Sequence, residues 1–338
     1  MKRILLSTFA ILNIYCASSS EITPVEQTKI LMDTFIQISI YDQDKKTKNL
    51  QQIIDSAFQR IEEIERLAND FNDSSAISFI NRCAAKQPVK LHAELNQIIS
   101  TSNHVSELSH GMFDITIGSV KRLWNFSTDS CCVPDSQKIQ DNLNFVDYQL
   151  IDLKSDSIQF KKTGVTLDLG AIAKGFAVDE ALKVLQENNI KDALVNAGGN
   201  LRAICSQLTA GKRKVWIKHP RIDGELYGYF QMDNGSVATS GDYERFFIQD
   251  SIRYFHILNP RTGYPARDCV SVTILTDAAM MADALSTAVF VLGREQGSEL
   301  IARLPGVDAV FIYEQNGVLQ HQVTSGLKNK FQLNKKLI

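Results

Sequence analysis

The chain has 338 residues, 44% of them hydrophobic and 22% charged, an ordinary globular composition with enough apolar residues for a sizeable core. Its formal net charge of −2 lacks the basic excess that nucleic-acid binding needs. Beyond residues 1–20, no apolar run is long enough to span a bilayer.

The N-terminus differs from the rest. Lys2 and Arg3 precede an apolar run from Ile4 to Leu12, followed by the small residues Ala17, Ser18, Ser19 and Ser20. That layout predicts a secretory signal over residues 1–20 rather than a membrane helix, with a buried N-terminal helix as the alternative. The expected location is outside the cytoplasm, in the periplasm. In a second form of the same expectation a lipid on Cys16 attaches the chain to the inner membrane, although Tyr15 stands where bacterial lipobox sequences usually carry a small residue. The other cysteines, Cys83, Cys131, Cys132, Cys205 and Cys269, lack the paired spacing of a zinc site. In an oxidising compartment they permit a disulfide without specifying one.

Residues 21–28 read as a polar lead-in, and residues 29–330 as one catalytic domain. Ile36, Ile38 and Ile40 alternate with polar residues, which predicts a half-buried strand. Ile54, Phe58, Ile61, Ile64 and Leu67 recur at spacings of three and four, so residues 51–67 form an amphipathic helix. A second helix is expected over residues 91–108, ending before Gly111. Residues 127–145, with Pro134 and several Asp and Ser, read as an insertion or loop. Short strands are expected at 149–153, 157–161 and 165–169, then a helix over 171–186 and a strand at 193–195. Further strands follow at 215–218, 228–232, 253–258 and 270–275, an Ala-rich helix at 278–292, and a late strand at 309–313. Strands and helices interleave without a regular βαβ period. This predicts an α+β fold, a compound single domain of mixed and antiparallel sheets with helices.

Several segments carry chemistry. In His110–Thr116 a turn holds Phe113 and Asp114, where the ordinary role of the aspartate is a helix cap. In Leu167–Gly175 a strand end at Asp168 meets a glycine-opened helix carrying Lys174, which aims backbone N–H groups and an ammonium at one point. The segment lacks the P-loop and dinucleotide-fold patterns, and an ordinary strand-to-helix turn is the alternative. Gly198-Gly199, preceding Asn200, allows close backbone approach or a plain tight turn. Thr239–Arg245 and His256–Pro265 concentrate hydroxyls, a histidine and turn formers between two expected strands. Asp283 and Thr287, four apart, share one helix face. A buried aspartate must pair, ligate or neutralise, and a carboxylate with a hydroxyl suits magnesium. The alternative is Asp283 as a helix N-cap.

In this order the segments resemble the ApbE family, the FAD:protein FMN transferases, from Met32-Asp33-Thr34 to about Gly293. Six ordered motifs carry the resemblance: Gly111–Asp114, Leu167–Asp179, Gly198–Asn200, Thr239–Arg245, His256–Pro265 and Ala282–Thr287. It implies an ApbE-like, T-fold-related architecture. It further implies that Met32, Phe71, Met112, Phe113 and Asp114 line the flavin nucleotide pocket. Asp168, Lys174 and Gly198-Gly199 beside Asn200 would hold the ribityl-pyrophosphate-adenosine portion, and Thr239, Ser240, His256 and Ile257 would close the other side. The carbonyl of Ala171 would join Asp283 and Thr287 around Mg2+.

The implied reaction moves FMN from FAD to a threonine of an exported acceptor flavoprotein and releases AMP. Subunits of sodium-pumping NADH:quinone reductase or of Rnf-type complexes are the implied acceptors. A threonine hydroxyl is a weak nucleophile that benefits from a base in reach. His256 is the first candidate for that base or for a phosphate contact, and Asp168 the second. Met112 replaces a residue that is often small in the family, and Phe71 one that is often tyrosine. The alternatives are an FAD pyrophosphatase using the same metal site, and a non-catalytic exported FAD-binding lipoprotein.

Overall fold

A computed structural model describes residues 23–42, 47–126, 131–206 and 213–334. The expected signal over residues 1–20 and Cys16 lie outside the described residues. The chain opens on a hairpin of β1 (Val25–Leu31) and β2 (Thr34–Ile40), then runs through α1 (Thr47–Ala68), α2 (Ala76–Cys83), β3 (Val89–Lys90), α3 (Ala93–Leu108) and α4 (Gly118–Trp124). α5 (Ser136–Leu143), β4 (Ile151–Leu153) and β5 (Ser157–Phe160) lead to α6 (Ala173–Glu187), β6 (Ala193–Ala197) and β7 (Asn200–Ile204). After β8 (Lys214–Lys218) and β9 (Leu226–Gln231) come β10 (Gly235–Gly241), β11 (Phe246–Gln249), β12 (Ile252–Phe255) and β13 (Ser271–Thr276). The last elements are α7 (Ala279–Ala302), β14 (Asp308–Gln315), β15 (Val318–Val323) and β16 (Gln332–Leu333).

The expected α+β class holds. Eight strands form one sheet in the order β1-β2-β6-β7-β10-β13-β14-β15, antiparallel at every pairing. Alternation along each strand sends one set of side chains to each face. On one face Ile36, Ile38, Val195, Val272 and Ile274 join the apolar stripes of α1, α6 and α7 in the main core. On the other, Leu194, Leu201, Val237, Val310 and Ile312 pack with Val215, Ile217 and Phe230 of the small sheet β16-β9-β8. A third cluster, around Trp124, Ile139 and Leu258, seats α4 and α5 against the β11–β12 hairpin.

Several elements depart from the sequence reading. Residues 25–28 of the expected polar lead-in belong to β1, the edge strand of the large sheet, whose half-buried side carries Gln27 and Lys29 and whose exposed side carries Glu26, Thr28 and Ile30. The expected loop at 127–145 contains α5, capped by Asp135, whose carboxylate accepts the N–H groups of Gln137 and Lys138. Only Ile139 of that helix is buried, so it carries almost no apolar stripe. The expected strand at 165–169 is extended chain with a single bridge, Thr166 to Ile117. Thr239 and Ser240 lie within β10 rather than in a turn.

Candidate active site

The floor of the site forms where α6 crosses α7. A Cβ on Gly175 would stand 2.2 Å from the Ala279 carbonyl oxygen and 2.8 Å from the Asp283 Cβ, so only glycine lets the helices approach this closely. The Gly175 N–H then donates to Asp283 Oδ2 at 2.9 Å. One turn along α6, Asp179 accepts the N–H groups of Ala279 and Met280 at 2.8 and 2.9 Å and is held by Arg202 at 2.6 Å. A side chain of α6 thus caps the start of α7 and fixes its phase. Asp283, 5% exposed, lies inside α7 and is no N-cap. Thr287 follows one turn later, and Ser240 Oγ lies 3.2 Å from its hydroxyl and 2.9 Å from that of Ser286. Thr239 meets Thr273 across the β10–β13 pair at 2.8 Å.

Two tight hairpin turns sit side by side because β2 pairs with β6. Met32 and Asp33 take φ of 52° and 57°, and Gly198 and Gly199 take 58° and 98°. Left-handed residues at both central positions match the twist of the flanking strands. The Met32 N–H is tied to Glu65 Oε1 at 2.9 Å.

Charged groups gather near the start of α6. Asp168 accepts the Gly170 N–H at 2.8 Å and faces the Lys121 ammonium at 2.7 Å. Burial opposes its charge, but Lys121 and the Gly170 amide hold its carboxyl below the ordinary value. Lys174 Nζ donates to the Gly170 carbonyl at 3.0 Å. His256 is half-buried, and its desolvation, with Lys121, Arg245 and Lys174 adding repulsion, pushes its imidazole down to about 3. At neutral pH it is therefore uncharged and a weak proton acceptor. This suits a hydrogen-bonding role toward a phosphate better than proton abstraction.

Asp114 serves the fold. Its Oδ1 accepts the Thr116 N–H and hydroxyl at 2.8 and 2.6 Å, and its Oδ2 accepts the Tyr148 N–H at 2.8 Å. Burial pushes it up to about 6.

These groups surround one cavity of about 440 Å³. Met32, Phe71, Met112, Phe113, Asp114, Asp168, Ala171, Lys174, Gly198, Gly199, Asn200, Thr239, Ser240, His256, Ile257, Asp283 and Thr287 all line it. None of the residues singled out from the sequence falls elsewhere. Phe71 is exposed, and Phe113 and Ile257 are buried wall. Two lining residues each hold a buried side-chain nitrogen, Asn200 Nδ2 and His256 Nδ1, with no hydrogen-bond partner among the described residues. Buried polar groups are normally satisfied, so two on one cavity call for a polar ligand. The described residues contain no group of three or more His, Cys, Asp and Glu that could cage a metal. One carboxylate, one hydroxyl and one carbonyl on the cavity wall still fit magnesium, which binds through one or two carboxylates together with substrate phosphates and water.

Lys121 and Asp70 also line the cavity and escaped the sequence reading. Lys121 sits in a short helix outside the glycine-bearing segments, and Asp70 precedes Phe71 in a polar turn. Only the fold brings them to Asp168.

The ApbE family matches residues 32–311. The FAD:protein FMN transferase of Treponema pallidum is 31% identical over 320 residues, covering 90% of this chain and 88% of that protein. The ApbE protein of Thermotoga maritima has a similar structure, with a TM-score of 0.79 at 31% identity over 89% of this chain and 97% of that one. The flavin transferase ApbE from Vibrio cholerae shares the fold, with a TM-score of 0.80 at 24% identity over 91% and 99%.

Proposed function

Because the chain belongs to the ApbE family, we propose that it transfers FMN from FAD to a threonine hydroxyl of an acceptor flavoprotein in a magnesium-dependent reaction that releases AMP. One observation carries this beyond kinship: Asn200 and His256, each with a buried side-chain nitrogen that has no hydrogen-bond partner among the described residues, line the same cavity as Asp283 and Thr287. A polar ligand and a hard cation would thus meet in one place.

Asp283, Thr287 and the Ala171 carbonyl would hold magnesium, which when bound offsets the charge that builds on the phosphate oxygens. Lys174 and the N-terminal end of α6 would attract the pyrophosphate. Met32, Phe71, Met112 and Phe113 would bury the flavin by apolar contact, and His256 would hydrogen-bond the phosphate as a neutral imidazole. The Gly198-Gly199 turn lets backbone approach the nucleotide without a side chain intervening. Export to the periplasm belongs to the same proposal, either free or anchored by lipid on Cys16. So do acceptors of the sodium-pumping NADH:quinone reductase and Rnf type.

The test is incubation with FAD, Mg2+ and a threonine-bearing acceptor, followed by AMP assay and intact-mass measurement of the acceptor. AMP together with an FMN mass increment on threonine is expected. AMP without the increment would make the chain a pyrophosphatase, and no AMP would make it a carrier. Asp283→Ala should abolish AMP release while circular dichroism stays unchanged, and Thr287→Ala should weaken it less. Unaltered magnesium dependence in Asp283→Ala would remove the metal assignment.

A further inference from the structure

Neither base candidate from the sequence is well placed to take a proton. Asp168 spends one oxygen on Lys121 and the other on Gly170, and His256 is surrounded by cations. A third group remains. Asp70 lies on the turn between α1 and α2, beside Phe71, and lines the same cavity. Its side chain is 11% exposed, and its one ion pair among the described residues is a long one, 3.7 Å to Arg122. The charged groups facing it are Asp168, from the loop before α6, and Lys121 and Arg122 of α4.

Resting on the FAD reading above, we propose that Asp70 is the general base of the transfer. The acceptor hydroxyl oxygen forms the new bond to the phosphorus of the FMN half. The bond from that phosphorus to the bridging oxygen breaks, and AMP leaves with that oxygen and the electron pair. The hydroxyl proton passes to the Asp70 carboxylate, which later releases it to solvent. Water in place of the acceptor would lose its proton to the same group and yield free FMN.

The two neighbouring carboxylates are driven apart, the pattern that separates proton acceptors from fixed charges. Burial and the charge of Asp168 push Asp70 up to about 6, against the pull of Lys121 and Arg122. Lys121 meanwhile keeps Asp168 ionised. A carboxylate that titrates near neutrality is a far better acceptor than one locked in an ion pair.

The experiment compares the full chain with Asp70→Asn and Asp70→Glu, measuring AMP release and FAD affinity from pH 5 to 9. Asp70→Asn should lose about 10²–10⁴-fold in rate, keep its FAD affinity, and lack the fall in rate that the parent chain shows below about pH 6. Asp70→Glu should retain part of the rate with a displaced acid limb. Parental rate and pH profile in Asp70→Asn would overturn the assignment. Should Asp70→Asn fail to bind FAD, the glutamate variant decides: a displaced limb supports the base, and an unmoved one overturns it. A parent chain that releases no AMP fails the FAD reading itself, whereas an active parent with an equally active Asp70→Asn fails only this inference.

Discussion

Asp192 and Asp168 are both buried, and each has a basic partner, but their surroundings differ. Asp192 pairs with Arg213 where the two side chains are 4% and 2% exposed. Arg213 also donates to the Ile204 carbonyl at 2.7 Å and lies over the Tyr41 ring at 4.9 Å, and the Ser206 hydroxyl donates to Asp192 at 2.8 Å. Asp168 is 7% exposed, but Lys121 keeps 25% and both line the cavity. The first pair is walled in by protein groups. The second faces a space where an arriving anion can compete for the ammonium. A buried charge therefore does not mark a site. What marks it is a charge whose open side looks into a cavity.

The sharpest way to break this comparison is Arg213→Met. Removing one partner of a walled-in pair should cost about 3–5 kcal/mol of stability, read by urea denaturation, with FAD affinity of the folded protein unchanged. A loss below about 1 kcal/mol would show that Asp192 finds water or other donors and that the pair is not closed.

Gly175→Ala comes next. Forcing a methyl into the α6–α7 contact should cost about 1–3 kcal/mol. It should also lower AMP release in fully folded protein, because the Gly175 N–H that holds Asp283 moves with the helix. Stability loss with normal turnover would separate the helix crossing from the metal ligand.

His256 sharpens the electrostatic side. Its folded pKa lies below its unfolded value of 6.5, so the unfolded chain binds more protons between 6.5 and about 3. The resulting stability is complete above pH 6.5 and is lost as pH falls toward 3, at up to about 1.4 kcal/mol per pH unit. His256→Gln should flatten that acid slope in a series of melts, and an unchanged slope would assign it to other groups.

The smallest expected effect is that of Lys121→Met on stability, about 1 kcal/mol, since Asp168 borders the cavity and can regain water there. Its signature is weaker FAD binding with a flatter salt dependence, measured by titration at two ionic strengths. A stability loss matching that of Arg213→Met would erase the contrast between the pairs.

What could be read from the chain depended on whether a signal was local. Asp283 and Thr287 were legible because helical spacing alone puts them on one face, and the stripe from Ile54 to Leu67 announced α1. β1 was not, because neither side of this edge strand is uniform: Gln27 and Lys29 sit on its half-buried side and Ile30 on its exposed one. α5 was hidden for a related reason: a helix that buries only Ile139 shows no stripe, although Asp135 was in place as its cap. β10 was masked by its hydroxyls, which serve β13 and α7 rather than a turn. Within the site, residues in glycine-bearing segments could be found from their turns. Lys121 and Asp70 could not, since their partner is separated from them by 47 and 98 positions of chain.

α7 is interrupted at Gly293, where a φ of +80° takes the backbone out of the helix for one residue. Asp268 then accepts the Arg294 N–H at 2.6 Å and restarts the spiral as a cap would. Angular position along an unbroken helix is cumulative, about 100° per residue, so a distortion at one end twists the whole rod. The interruption resets that count. Asp283 and Thr287 keep their bearing from the Asp179 cap at their own end, and the stretch from Arg294 to Ala302 takes its bearing from Asp268. The far half of the rod is mechanically insulated from the chemistry, and sequence can drift there without turning the two oxygen ligands away from the cavity.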